Sequence, residues 1–194
     1  MGDTEEPRWL DADEQQTFMA FGYMLVQLPA AFDAFLQRTA GISLFEYQII
    51  AALSVAPDRT VRLSRLAEFT AGSLSRLSNA VTRLEERGWM RRTPDPVDGR
   101  YTLGVLTDAG WGKVLAASPG HLGEVRRLVL DPLTKAQQQQ LHRISDRIMH
   151  AVEPDKPPIN ERVRDLPHLR GRPTHAEPQC VEEPVESHLE EEVR

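Results

Sequence analysis

Ser75, Arg76, Ser78, Asn79, Thr82 and Arg83 alternate with Leu74, Leu77, Val81 and Leu84 at helical spacing. The spacing predicts a helix beginning near Ser73 with one apolar stripe to pack and a polar face free to bind. The chemistry on that face is hydrogen bonding: arginine and asparagine can donate to guanine or adenine edges, and serine hydroxyls reach bases or phosphates at short range. Beyond Gly88, Met90 to Thr93 and Tyr101 to Leu106 read as two short strands around a Pro94-Asp95-Pro96-Val97-Asp98-Gly99 turn, with Arg91, Arg92 and Arg100 making the hairpin basic. A polar-faced helix followed by a basic hairpin is the layout of a winged helix that reads DNA. A protein-binding winged helix is the alternative, but such a surface should show exposed aromatics or leucines where this one shows serines, arginines and asparagine.

Other chemistry is poorly represented. There is no glycine-rich phosphate loop, nucleophile elbow or carboxylate pair on a strand end, so no enzyme is expected. His142, Asp146 and His150, spaced by four, share a helix face that a divalent cation could use, but without a fourth ligand they read as a solvated face. The single cysteine, Cys180, and the scattered His168, His175 and His188 make neither a disulfide framework nor a zinc site. No metal and no cofactor are expected.

The elements that must position these residues follow from periodicity and capping. Phe18, Phe21, Leu25, Leu28, Phe32 and Phe35 alternate spacings of three and four, which predicts a first helix over about Asp13 to Arg38 with a coiled-coil-like seam. Met19, Ala20, Tyr23, Met24 and Val26 widen that seam until nearly every face is apolar, so burial on two sides is expected, one of them against a second copy. Pro29 should bend this helix without breaking it. Ser43 and Glu46 form a capping box opening a second helix to about Ala56. A short third helix, about Leu63 to Thr70, and an Ala71-Gly72 turn complete a helix-turn-helix with the polar-faced helix. Thr107 caps a helix towards Leu130, expected to bend at Pro119, and Thr134 with Gln137 caps a last helix to about Val152.

The formal net charge of −6 sits mostly in the tail: from Glu153 onward there are 11 acidic and 6 basic residues, leaving 18 and 17 in residues 1–152. The tail is rich in Pro and Glu and lacks periodicity, and is expected to be disordered. An acidic start and an apolar run from Phe18 judged too short to span a bilayer point to a cytoplasmic protein with no membrane partner.

The RLEERG at Arg83 to Gly88, the DPVDGR at Asp95 to Arg100 and the LTDAG at Leu106 to Gly110, in this order and spacing, resemble the MarR family of bacterial transcription regulators over about residues 13–152. The resemblance implies a mainly α fold. An N-terminal arm (1–12) would precede dimerisation helices (about 13–40 and 120–152) flanking a winged helix (about 43–112), with the tail (153–194) outside. It implies a homodimer sealed by Phe18, Phe21, Leu25, Leu28 and Phe32, reading a pseudo-palindromic operator in double-stranded DNA as a ligand-responsive repressor. Ser73, Ser75, Arg76, Ser78, Asn79 and Arg83 would face the major groove or nearby phosphates. Arg92 would meet a phosphate, Arg100 would enter the minor groove, and Asp98 would orient the wing by accepting a hydrogen bond. Many relatives carry arginine near position 79, so base preference does not transfer. A small aromatic ligand would lie between the dimer helices and the winged helix, near Tyr23, Phe45, Tyr47 and Trp111.

Overall fold

The computed structural model describes residues 7–70 and 72–157. The tail beyond Pro157, with Cys180 and its acidic end, and Ala71 of the expected turn lie outside the described residues.

Helix α1 spans Ala12–Ala40. It starts at a capping box that the sequence reading passed over: Asp11 accepts from the backbone N–H groups of Asp13 and Glu14, and Glu14 accepts from the N–H of Asp11. It continues through Pro29 and stops at Gly41, whose φ of +62° is the left-handed conformation that closes a helix. Helix α2 (Leu44–Val55) opens on the expected Ser43 and Glu46 capping box. Eight of its twelve residues are buried, making it the central helix. Leu36 of α1, Ile49, Ile50 and Leu53 of α2, and Leu77, Val81 and Leu84 further on are each within 2% of complete burial and form one core.

A 3-10 turn at Pro57–Arg59 leads into strand β1 (Thr60–Arg62), which the sequence reading missed. Helices α3 (Leu63–Phe69) and α4 (Leu74–Glu86) follow, then strands β2 (Met90–Pro94) and β3 (Thr102–Leu106). The three strands form one antiparallel sheet in the order β1-β3-β2, with Val61 opposite Gly104 and Arg92 opposite Gly104 on the other side. β1 covers the edge that the β2–β3 hairpin would otherwise leave unpaired.

Thr107 joins sheet to helix. Its hydroxyl donates to the Gly88 carbonyl at 2.6 Å and accepts from the N–H of Gly110, capping α5 (Asp108–Val125). A Cβ on Gly110 would lie 2.0 Å from the carbonyl oxygen of Trp89, so the glycine of the LTDAG motif marks a close backbone approach. α5 runs through Pro119 without a break, and a π-helical turn follows at Arg126–Leu130, closed by Asp131 N–H on the Arg126 carbonyl. Helix α6 (Lys135–Val152) begins at the expected Thr134 and Gln137 capping box.

Two helices are unfinished within one chain. Only Leu36 of α1 is buried, and no residue of α6 is. α1 is also long and apolar enough to cross a membrane by length and composition, which corrects the expectation that its apolar run is too short: the helix extends that run in both directions. It is nonetheless built into the domain, since Asp33 of α1 accepts from the backbone N–H of Leu44 at 2.7 Å.

Candidate nucleic-acid interface

Helix α4 is held by a stripe of Leu77, Ala80, Val81 and Leu84, all buried. Leu74, expected to open that stripe, is 71% exposed instead. It is the first residue of the helix, and the buried stripe starts at Leu77 and includes Ala80, which spacing did not single out.

The outward face is polar. Ser73 is the N-cap of α4: its hydroxyl accepts from the N–H of Arg76 at 3.2 Å and lies 3.1 Å from the Ser75 hydroxyl. Ser75, Ser78 and Asn79 are exposed, and among the described residues the side chains of Ser78 and Asn79 have no hydrogen-bond partner. The two arginines of this helix are not loose. Arg76 is exposed with its guanidinium 4.2 Å from the centroid of Phe45, a cation–π contact that aims it. Arg83 donates to the buried Glu46 at 2.6 Å while half its side chain remains in solvent. Burial pushes the Glu46 carboxyl up, and the bonds from Arg83 and Ser43 more than reverse this, leaving it below the ordinary carboxylate range.

The hairpin is braced from inside by residues that spacing did not single out. Asp95, buried, accepts from the N–H groups of Val97 and Asp98 and from Arg62 Nε at 2.8 Å. Arg62, on β1, also lies 4.3 Å from the ring centroid of Tyr101. The backbone bonds to Asp95 and the pairing with Arg62 hold its carboxyl below the usual range. An Asp-Pro turn was visible in the sequence, but its arginine brace, 33 residues away, was not.

At the hairpin tip Asp98 grips Arg100 in a two-pronged pair, Nε to Oδ1 at 2.9 Å and Nη2 to Oδ2 at 2.7 Å, and also accepts the Arg100 backbone N–H. Asp98 does accept hydrogen bonds, and the donor is Arg100, whose side chain is 85% exposed. The Arg100 bonds hold the Asp98 carboxyl below the usual carboxylate range, and the same pairing raises the Arg100 guanidinium above its own ordinary value. Arg92 is less available. Its Nε and backbone N–H donate to Glu85 and its Nη2 donates to Thr82, so it fastens the hairpin to α4.

The residues expected around a ligand have separate partners. Tyr47 is buried, its hydroxyl 3.1 Å from that of Ser118 and its ring 4.7 Å from that of His121, which also meets Phe32 edge-on. Phe45 packs under Arg76, Trp111 lies beneath Arg59, and Tyr23 is 70% exposed on α1. On α6, His142 lies 3.5 Å from Asp146.

A helix-turn-helix whose second helix presents a polar face, followed by a braced basic hairpin, defines a winged helix-turn-helix protein. A family model described as MarR family matches residues 40–100. Sco3205, a MarR family transcriptional regulator from Streptomyces coelicolor solved in complex with DNA, is 37% identical, with 78% of this chain and 95% of that one covered and a TM-score of 0.74. AbsC, a MarR family transcriptional regulator from the same organism, is 29% identical over 77% of this chain and all of its own, with a TM-score of 0.72. The uncharacterized HTH-type transcriptional regulator YdcH of Bacillus subtilis (strain 168) is 37% identical over 65 residues, 34% of this chain and 44% of that relative. The chain belongs to the MarR family of transcriptional regulators.

Proposed function

We propose that this protein is a homodimeric repressor that binds a pseudo-palindromic site in double-stranded DNA, its two α4 helices in successive major grooves about one helical turn apart. The observation that carries this reading is the exposed, hydrogen-bonding face of α4 beside an arginine already oriented at the hairpin tip. Phosphate contacts from such a surface position the protein, and base-edge contacts from Ser75, Arg76, Ser78 and Asn79 select the sequence. In a narrow minor groove Arg100 gains from the enhanced negative potential. The 37% identical Streptomyces regulator, crystallised with DNA, supports the same use of this fold.

What one chain leaves uncovered supports dimerisation: Phe18, Met19, Tyr23, Leu25 and Val26 of α1 and Ile144 and Val152 of α6 are all more than half exposed. The seam of α1 and the amphipathic α6 fit a second copy of the same chain. A small aromatic ligand at the junction of α1, α2 and α5, where Phe32, Tyr47, Ser118 and His121 meet, would shift the dimer towards a form with misplaced reading heads.

The test is fluorescence anisotropy of a duplex from the protein's own upstream region against a scrambled duplex, at two salt concentrations, with genomic fragments as the wider pool. Tight, salt-sensitive and sequence-selective binding, weakened in Arg100→Ala, is the expected result. Equal, poor binding to every fragment overturns the reading in favour of a protein-binding module.

A further inference from the structure

We propose that Leu74 reads a thymine in each half-site through the 5-methyl group of the base; this rests on the DNA-binding reading above. Among the described residues of α4, Leu74 is the one large apolar side chain that is exposed, at 71%, while Leu77, Val81 and Leu84 are buried to 2% or less. Helical geometry places it on the same edge as Ser78, one turn before it, and next to Ser75. Arg76 and Arg83 lie towards the opposite edge, the first over Phe45 and the second on Glu46. The exposed face is therefore graded: two arginines along one side, Ser75 and Asn79 in the middle, and an apolar end at Leu74.

Serine, asparagine and arginine can answer to phosphates or to base edges, but leucine can answer to neither by hydrogen bonding. The apolar group that a base pair displays in the major groove is the thymine methyl, and contact with it distinguishes T·A from every other pair. A second copy of the chain is a poorer occupant, because the uncovered apolar faces of α1 and α6 already supply the self-complementary surface. An apolar side chain has no charge or donor with which to match the sugar-phosphate backbone.

The experiment uses the full-length protein and a site selected from genomic fragments. Each thymine of a half-site is replaced in turn by deoxyuridine, which removes the methyl and leaves the pairing edge intact, and affinities are measured for the wild type and for Leu74→Ala. Leu74 is 71% exposed and lies outside the buried core, so the variant should fold as the wild type does, which circular dichroism checks. At one thymine per half-site the replacement is expected to weaken wild-type binding about fourfold, and about fifteenfold in both half-sites together, the equivalent of about 0.8 kcal/mol per buried methyl. Leu74→Ala should be insensitive to the same replacement. Selective wild-type binding that no deoxyuridine disturbs, or a loss that persists unchanged in Leu74→Ala, overturns the role of Leu74 and leaves DNA binding standing. A wild type that cannot tell any fragment from scrambled DNA overturns the underlying reading as well.

Discussion

The Nε of Arg83 donates to Oε1 of Glu46 at 2.6 Å, and this bond fastens α4, the helix proposed to face DNA, to the buried first turn of α2. Glu46 simultaneously caps α2 through the Ser43 N–H, and the neighbouring Leu44 N–H is held by Asp33 of α1. The Ser43–Leu44 backbone thus links Asp33 of α1 to Glu46 and, through it, to Arg83 on α4.

Arg83→Ala should destabilise the fold by about 1–2 kcal/mol, since it strips a buried carboxylate of its partner although half of the arginine itself is solvated. Glu46→Gln should lose less, because the amide oxygen can still accept. Urea denaturation checks both, and wild-type stability indistinguishable from Arg83→Ala would show the pair to be incidental. The Glu46 carboxyl lies below its ordinary value of 4.5 in the folded chain, so its contribution is complete above that pH and is lost as pH falls below it. The wild-type and Glu46→Gln unfolding curves should converge in acid.

Asp98→Ala adds to the positive charge of the hairpin yet should weaken operator binding several-fold, because Arg100 loses both bonds that orient it. Anisotropy titrations at two salt concentrations decide the matter. Tighter binding would mean that net charge alone, and not the aim of Arg100, governs the contact.

Gly110→Ala should destabilise by about 1–3 kcal/mol, as its methyl must displace the Trp89 carbonyl or the hairpin start. A thermal midpoint within a degree of the wild type would contradict the close approach.

Phe18→Glu combined with Leu25→Glu should yield monomers by sedimentation, with the secondary structure retained, because both side chains are more than half exposed within one chain. Operator binding should fall with dimerisation. A dimer surviving both charges would place the interface elsewhere.

Burial pushes the His121 imidazole below its ordinary value of 6.5, and its Nδ1 is buried without a hydrogen-bond partner. The folded state therefore resists a proton that the unfolded chain accepts, and stability should be full above that value and decline as pH drops through the range beneath it. His121→Phe, which keeps a ring against Phe32 and Tyr47, should flatten the decline in thermal midpoint between about pH 7 and pH 5. An unchanged slope would assign the acid sensitivity to other groups.

The local chemistry of the chain determined most of the fold. The capping boxes of Ser43 with Glu46 and of Thr134 with Gln137, the Thr107 cap and the alternation along α1 act over three or four residues, so the sequence carries them complete. The polar face of α4 was legible for the same reason; that Asp98 would accept a hydrogen bond in the wing was legible too, but not that Arg100 is its donor. Contacts between distant segments were decided by tertiary structure alone. Strand β1 has three residues and exists because β3 offers an edge; Arg62 meets Asp95 across 33 positions and Arg83 meets Glu46 across 37. Leu74 and Leu77 are chemically the same and both fit the apolar spacing, but Leu74 is the first residue of the helix and 71% exposed, while the core leaves Leu77 only 2% exposed. Periodicity gives a residue its face; only the partner surface decides whether that face is covered.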